Sequence, residues 1–83
     1  MKEKERRGVP LPHLREWREW RGLTQEELKD ASGVTVATIS RLENGMPARL
    51  DTVRRLAGAL TIGREQLMRT HPQPGDRPAL AFA

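Results

Sequence analysis

The chain has no cysteine and no tyrosine, and aromatic residues make up 4% of it. Without thiols it can form neither a disulfide nor a thiolate-held zinc site. Its 83 residues must therefore be stabilised by packing, although a chain this short buries only about 60% of the surface its unfolded form exposes. The shortage of aromatics predicts an aliphatic core in which the tryptophans are the largest pieces. Long apolar runs are missing too. The longest, residues 79–83, falls far short of the roughly 20 residues that span a membrane. The charged start Lys2-Glu3-Lys4-Glu5-Arg6-Arg7 has no apolar stretch behind it, unlike a secretory signal. No run alternates apolar and polar residues long enough for a strand, and there is no internal repeat. A glycine-rich phosphate loop is also missing. His13 and His71 stand far apart in sequence, without companions for a metal site or a catalytic triad, and are expected to face solvent. No catalytic residue, metal or cofactor is expected, and the chain does not read as an enzyme.

What is present is charge, 31% of residues, with a basic excess of +4 that makes nucleic acid the leading partner. Residues 1–10 read as a flexible basic arm, 11–70 as the folded domain, and 71–83, with three prolines in His71-Pro72-Gln73-Pro74-Gly75-Asp76-Arg77-Pro78, as a flexible tail. Inside the domain, punctuation predicts five short helices. Pro12 suits a first turn, Leu14, Trp17 and Trp20 form a stripe, and Gly22 closes the first helix. Thr24 with Glu27 three residues later is a capping box opening a helix over 25–31. Thr35 caps a third helix of Val36 to Glu43, closed by Asn44-Gly45. Val53, Leu56, Ala57 and Leu60, at i, i+3, i+4 and i+7, mark the fourth, and Arg64 to Arg69 the fifth. Helices this short do not hold alone in water. Their faces are expected to meet in one core of Leu14, Trp17, Leu23, Leu28, Val34, Ile39, Leu42, Leu50, Val53, Leu56, Leu60, Ile62 and Leu67.

Two short helices joined by a tight turn at Ser32, Gly33 and Val34 define a helix-turn-helix, whose second helix can enter the DNA major groove. On that helix Ile39 and Leu42 point one way, while Ala37, Ser40, Arg41 and Asn44 form a small, polar, basic face on the other. Residues 14–67 carry Leu-Thr-Gln-Glu-Glu-Leu, Ser-Gly-Val-Thr, Thr-Ile-Ser-Arg-Leu-Glu-Asn-Gly and Leu-Asp-Thr-Val in order. This stretch resembles the XRE-type helix-turn-helix of phage Cro and lambda-type repressors.

The resemblance implies an all-α, compact five-helix lambda-repressor-like domain that binds near-palindromic operator DNA as a homodimer. It implies base contacts from Val36, Ala37, Ser40 and Arg41, phosphate contacts from Gln25, Thr35, Thr38 and Asn44, and a structural ion pair between Arg18 and Glu43. The sequence departs from the family pattern at Lys29, where a small residue is usual, and at Arg49, which replaces the usual hydroxyl cap of the fourth helix. Val36 and Ala37 offer no hydrogen bonds, so reading there is apolar, as with thymine methyls.

The expected function is that of a sequence-specific DNA-binding transcriptional regulator acting as a repressor. It would be cytoplasmic, and nucleoid-associated when bound to double-stranded DNA. The alternatives are an antitoxin whose tail covers a toxin, and a protein-interaction adaptor on the same fold. The acidic residues Glu26, Glu27 and Asp30 offer a surface for a protein partner such as RNA polymerase.

Overall fold

The computed structural model describes residues 8–72. Most of the expected arm and tail, with the apolar end at 79–83, lies outside the described residues. Five helices follow one another: α1 Leu14–Trp20, α2 Gln25–Ser32, α3 Val36–Glu43, α4 Leu50–Leu60 and α5 Arg64–Arg69. The fold is all-α. Among the described residues the extended pairing is one antiparallel bridge, Val9 to Ala48.

The helix ends follow from local chemistry. Thr24 and Glu27 form both bonds of the capping box, Thr24 Oγ1 accepting from the Glu27 amide at 3.0 Å and Glu27 Oε1 from the Thr24 amide at 2.9 Å. At the end of α4 the Thr61 and Ile62 amides donate back to the Gly58 and Ala57 carbonyls, at 3.1 and 3.0 Å. This closure requires a left-handed residue, and Thr61 supplies it at φ 59° where glycine is usual.

α4 is the central element. Val53, Leu56, Ala57 and Leu60 are all buried along one stripe, against which α2 and α5 pack, while α3 packs on α2. Leu14, Trp17, Leu28, Ile39 and Leu67 complete the core, each fully buried large side chain contributing about 1.5–3 kcal/mol.

The core differs from expectation at its edge. Leu50 is 54% exposed, not buried. It begins α4, and the buried place at that end is taken by Ala48, held there by its bridge to Val9. Leu23 and Ile62 are only partly buried, and Leu11 joins the core unforeseen. α2 runs one residue further than predicted, to Ser32. Val9, placed by the sequence reading within a flexible arm, is paired on both its main-chain groups, at 2.7 and 2.8 Å. The segment after α5 lies back on α1. Trp17 Nε1 donates to the Thr70 carbonyl at 2.8 Å, and the rings of His13 and His71 meet edge to face at 5.4 Å. The two histidines thus face each other, and His13 Nδ1 stands 2.6 Å from Glu16 Oε1.

Candidate nucleic-acid interface

The turn between α2 and α3 is built by Gly33 and Ser32. Gly33 has φ 79°, which an L side chain adopts only at a cost, and its amide donates to the Lys29 carbonyl at 2.8 Å. Ser32 Oγ donates to the Leu28 carbonyl at 2.6 Å and accepts from the Val34 amide at 3.1 Å, bridging helix and turn with one hydroxyl. Sequence reasoning placed Ser32 in the turn but missed the bridging role of its hydroxyl, for which a hydroxyl just before a turn glycine is the available signal.

α3 is capped by Thr35, whose Oγ1 accepts from the Thr38 amide at 3.2 Å and donates to the Thr38 hydroxyl at 3.0 Å. The structure therefore brings together two of the expected phosphate-contact residues at a helix start that has no acidic residue in its first turn. That end of the helix is electropositive. Ile39 and Leu42 are buried. Ala37 and Arg41, one turn apart, are exposed, while Val36 and Ser40 beside them are half-buried. Asn44 is at the far end, donating from Nδ2 to the Ser40 carbonyl at 2.9 Å. Arg41 forms no ion pair among the described residues. It lines a hollow of about 420 Å³ between α3 and the start of α4, together with Thr38, Arg49 and Thr52. Arg49 caps α4 with its main chain but gives no side-chain bond to the helix, and among the described residues neither guanidinium forms an ion pair.

Behind this face a buried carboxylate ties the helices together. The Glu43 side chain has 0% exposure, and Arg18, 12% exposed, donates to it from Nε at 2.6 Å and from Nη2 at 3.2 Å. Arg18 Nη1 donates to the Leu23 carbonyl at 2.8 Å, pinning the turn after α1. Burial pushes the Glu43 carboxyl up, but the hydrogen bonds from Arg18, Gln25 and Arg15 and the positive charge of Arg18 together outweigh it and hold the group below the usual carboxylate range. The same hydrogen bond to Glu43 raises Arg18 above its ordinary value, against its own burial. The expected Arg18–Glu43 pair is thus present in the geometry.

The network also claims a residue assigned elsewhere. Gln25 Nε2 donates to Glu43 Oε1 at 3.1 Å, and Arg15 Nε approaches the same oxygen at 3.4 Å. Gln25 keeps a second amide hydrogen and its main-chain N–H, at the start of α2, for an anion. Arg15 was missed, although it lies three residues before Arg18 on the same face of α1. Lys29 turns to solvent, its Nζ 3.3 Å from Glu26 and 3.7 Å from Asp30. The hydrogen bond to Glu26 raises its pKa, and the ammonium stays out of the α2–α3 contact.

A helix-turn-helix family model matches residues 14–67, which spans all five helices up to Leu67 in α5. The chain belongs to the XRE-type helix-turn-helix family. Curated relatives agree. The HTH-type transcriptional repressor RghR of Bacillus subtilis is 47% identical over 57 residues, covering 66% of this chain and 42% of the relative. The uncharacterized HTH-type transcriptional regulator RghRB of the same organism is 42% identical over 57 residues, covering 66% of this chain and 41% of its own. The chain thus matches about two fifths of the length of these relatives. No solved structure matches it. Among the described residues no helix is long and apolar enough to cross a membrane. The chain carries the DNA-binding fold of transcriptional regulators.

Proposed function

We propose that this chain is the operator-reading domain of a transcriptional repressor and places α3 in the major groove. The observation that carries the reading is Arg41. It is exposed and unpaired among the described residues, one turn from Ala37, on the outward face of the second helix of the motif. Small neighbours let the helix backbone approach base edges, and a guanidinium there can donate two bonds to guanine O6 and N7. Val36 and Ala37 supply apolar contact with thymine methyls, and Ser40 a hydroxyl.

Thr35 and Thr38 at the start of α3, Asn44 at its end and Gln25 at the start of α2 serve the sugar–phosphate backbone, which positions the reading helix without selecting sequence. The relative named a repressor supports repression by occupancy, and two such domains acting as a dimer would read half-sites about one helical turn apart.

Selection of bound sites from a random duplex library, followed by titration at several salt concentrations, tests the reading. Log affinity should fall with log salt by about 0.9 per phosphate contact. Arg41→Ala should weaken the selected duplex by roughly 1–3 kcal/mol and random duplex much less. A protein that binds no duplex with a salt slope would instead be an adaptor on the same fold.

A further inference from the structure

A strap of residues 8–11 runs from the start of α1 to the loop between α3 and α4. The Val9 N–H donates to the Ala48 carbonyl at 2.7 Å, and the Ala48 N–H to the Val9 carbonyl at 2.8 Å, so both main-chain polar groups of Ala48 are satisfied by Val9. Leu11 anchors the other end of the strap in the core at 1% exposure. Gly8 lies so close to the loop that a Cβ there would stand 2.6 Å from Pro47 Cβ, 2.9 Å from the Pro47 carbonyl carbon and 3.0 Å from the Ala48 nitrogen. Those are ring and main-chain atoms, which do not swing aside. From its other side the loop is tied to α3, where the Gly45 and Met46 amides donate to the Leu42 and Arg41 carbonyls at 3.1 and 3.0 Å. The strap therefore fixes the residue immediately before Arg49, which shares the hollow with Arg41.

We propose that this strap, with Gly8 as its contact point, is a positioning element for DNA binding that sets where Arg49 stands relative to Arg41, so that Arg49 meets the phosphate backbone beside the base edge that Arg41 reads. The inference rests on the DNA-binding reading above. Charge-assisted hydrogen bonds are short and directional, so a loop displaced to accommodate one extra carbon at position 8 loses the Arg49 contact. Glycine at position 8 is explained by the close approach itself, since a side chain there meets atoms and not an unfavourable φ.

The test uses the full chain and a mixed-sequence duplex of about 20 base pairs, with anisotropy titrations across a salt series. Gly8→Ala should bind about tenfold more weakly, the equivalent of one charge-assisted hydrogen bond, and its salt slope should fall by about 0.9. Arg49→Ala should do the same, and the double variant should bind no more weakly than Arg49→Ala alone. Val9→Pro, which deletes the donor to Ala48, should reproduce the loss and carries the test should Gly8→Ala lose helix at the assay temperature. Leu67→Val, a destabilising change in the core far from the loop in sequence, should keep the native affinity and slope while folded. Additive losses for positions 8 and 49, or an unchanged slope in Gly8→Ala, overturn the inference. If the native chain itself binds no duplex with a salt slope, the DNA-binding reading fails instead.

Discussion

Removing the Glu43 carboxylate should cost this domain a large share of its stability. Glu43→Ala leaves Arg18, 12% exposed, without the acceptor of two of its bonds and strips Gln25 and Arg15 of theirs. Breaking a buried pair costs about 3–5 kcal/mol, against about 0–1 for an exposed one. Arg18 keeps its bond to the Leu23 carbonyl and lies near the surface, which puts the loss near the lower end, at about 3 kcal/mol. The whole net stability of a chain this size is about 4–12 kcal/mol. Urea unfolding followed by circular dichroism should show the midpoint falling by about 3 M, taking m near 1 kcal/mol per molar for a small protein. Glu43→Gln, which keeps an acceptor but not the charge, should fall between. Adding Arg18→Met to Glu43→Ala should recover part of the loss, because no uncompensated guanidinium then remains. A cost below about 1 kcal/mol for Glu43→Ala, or no recovery in the double variant, would refute the reasoning.

Other expectations follow from the same geometry. The Glu43 carboxyl is held below the usual range in the folded protein, so its contribution is complete above the ordinary glutamate pKa of about 4.3 and is lost as pH falls below that through the folded value. Acid titration of Glu43→Gln should lack that component. Thr61→Gly should raise stability by about 0.5–1 kcal/mol, the relief of left-handed strain exceeding the entropy that glycine adds to the unfolded chain, seen as a melting temperature a few degrees higher. Thr24→Ala should cost about 1 kcal/mol through loss of the capping box, and Thr35→Ala a similar amount of stability together with weaker binding to all duplexes alike.

Much of this was legible in the sequence because the decisive signals are local. Thr24 with Glu27, Thr35 before Val36, and the four-residue stripe of α4 each state a helix boundary or face within a few positions. The inward face of α3 was legible from two aliphatic residues three apart, and its outward face from what remained. The misses are long-range. Nothing near Leu50 says that Ala48 will fill its place, because that depends on Val9, thirty-nine positions earlier in the chain. Gln25 looked free for phosphate because its tie to Glu43 crosses from α2 to the end of α3. His13 and His71 looked solitary because only the return of the chain along α1 brings their rings together.

The indoles offer a way to watch this molecule. Trp17 and Trp20 meet edge to face at 5.1 Å, yet their ring nitrogens differ: Trp17 donates to Thr70, while Trp20 Nε1 is buried without a partner among the described residues. Neither α3 nor the loop before α4 contains an aromatic residue. Intrinsic tryptophan emission therefore reports on the seam between α1 and the segment after α5, and is blind to direct contact at α3. If duplex DNA raises anisotropy and leaves that emission unchanged, the domain docks as a rigid body. A shift in emission on the same titration would mean that the encounter is felt through the core, along the path from α3 by way of Glu43 and Arg18 to α1.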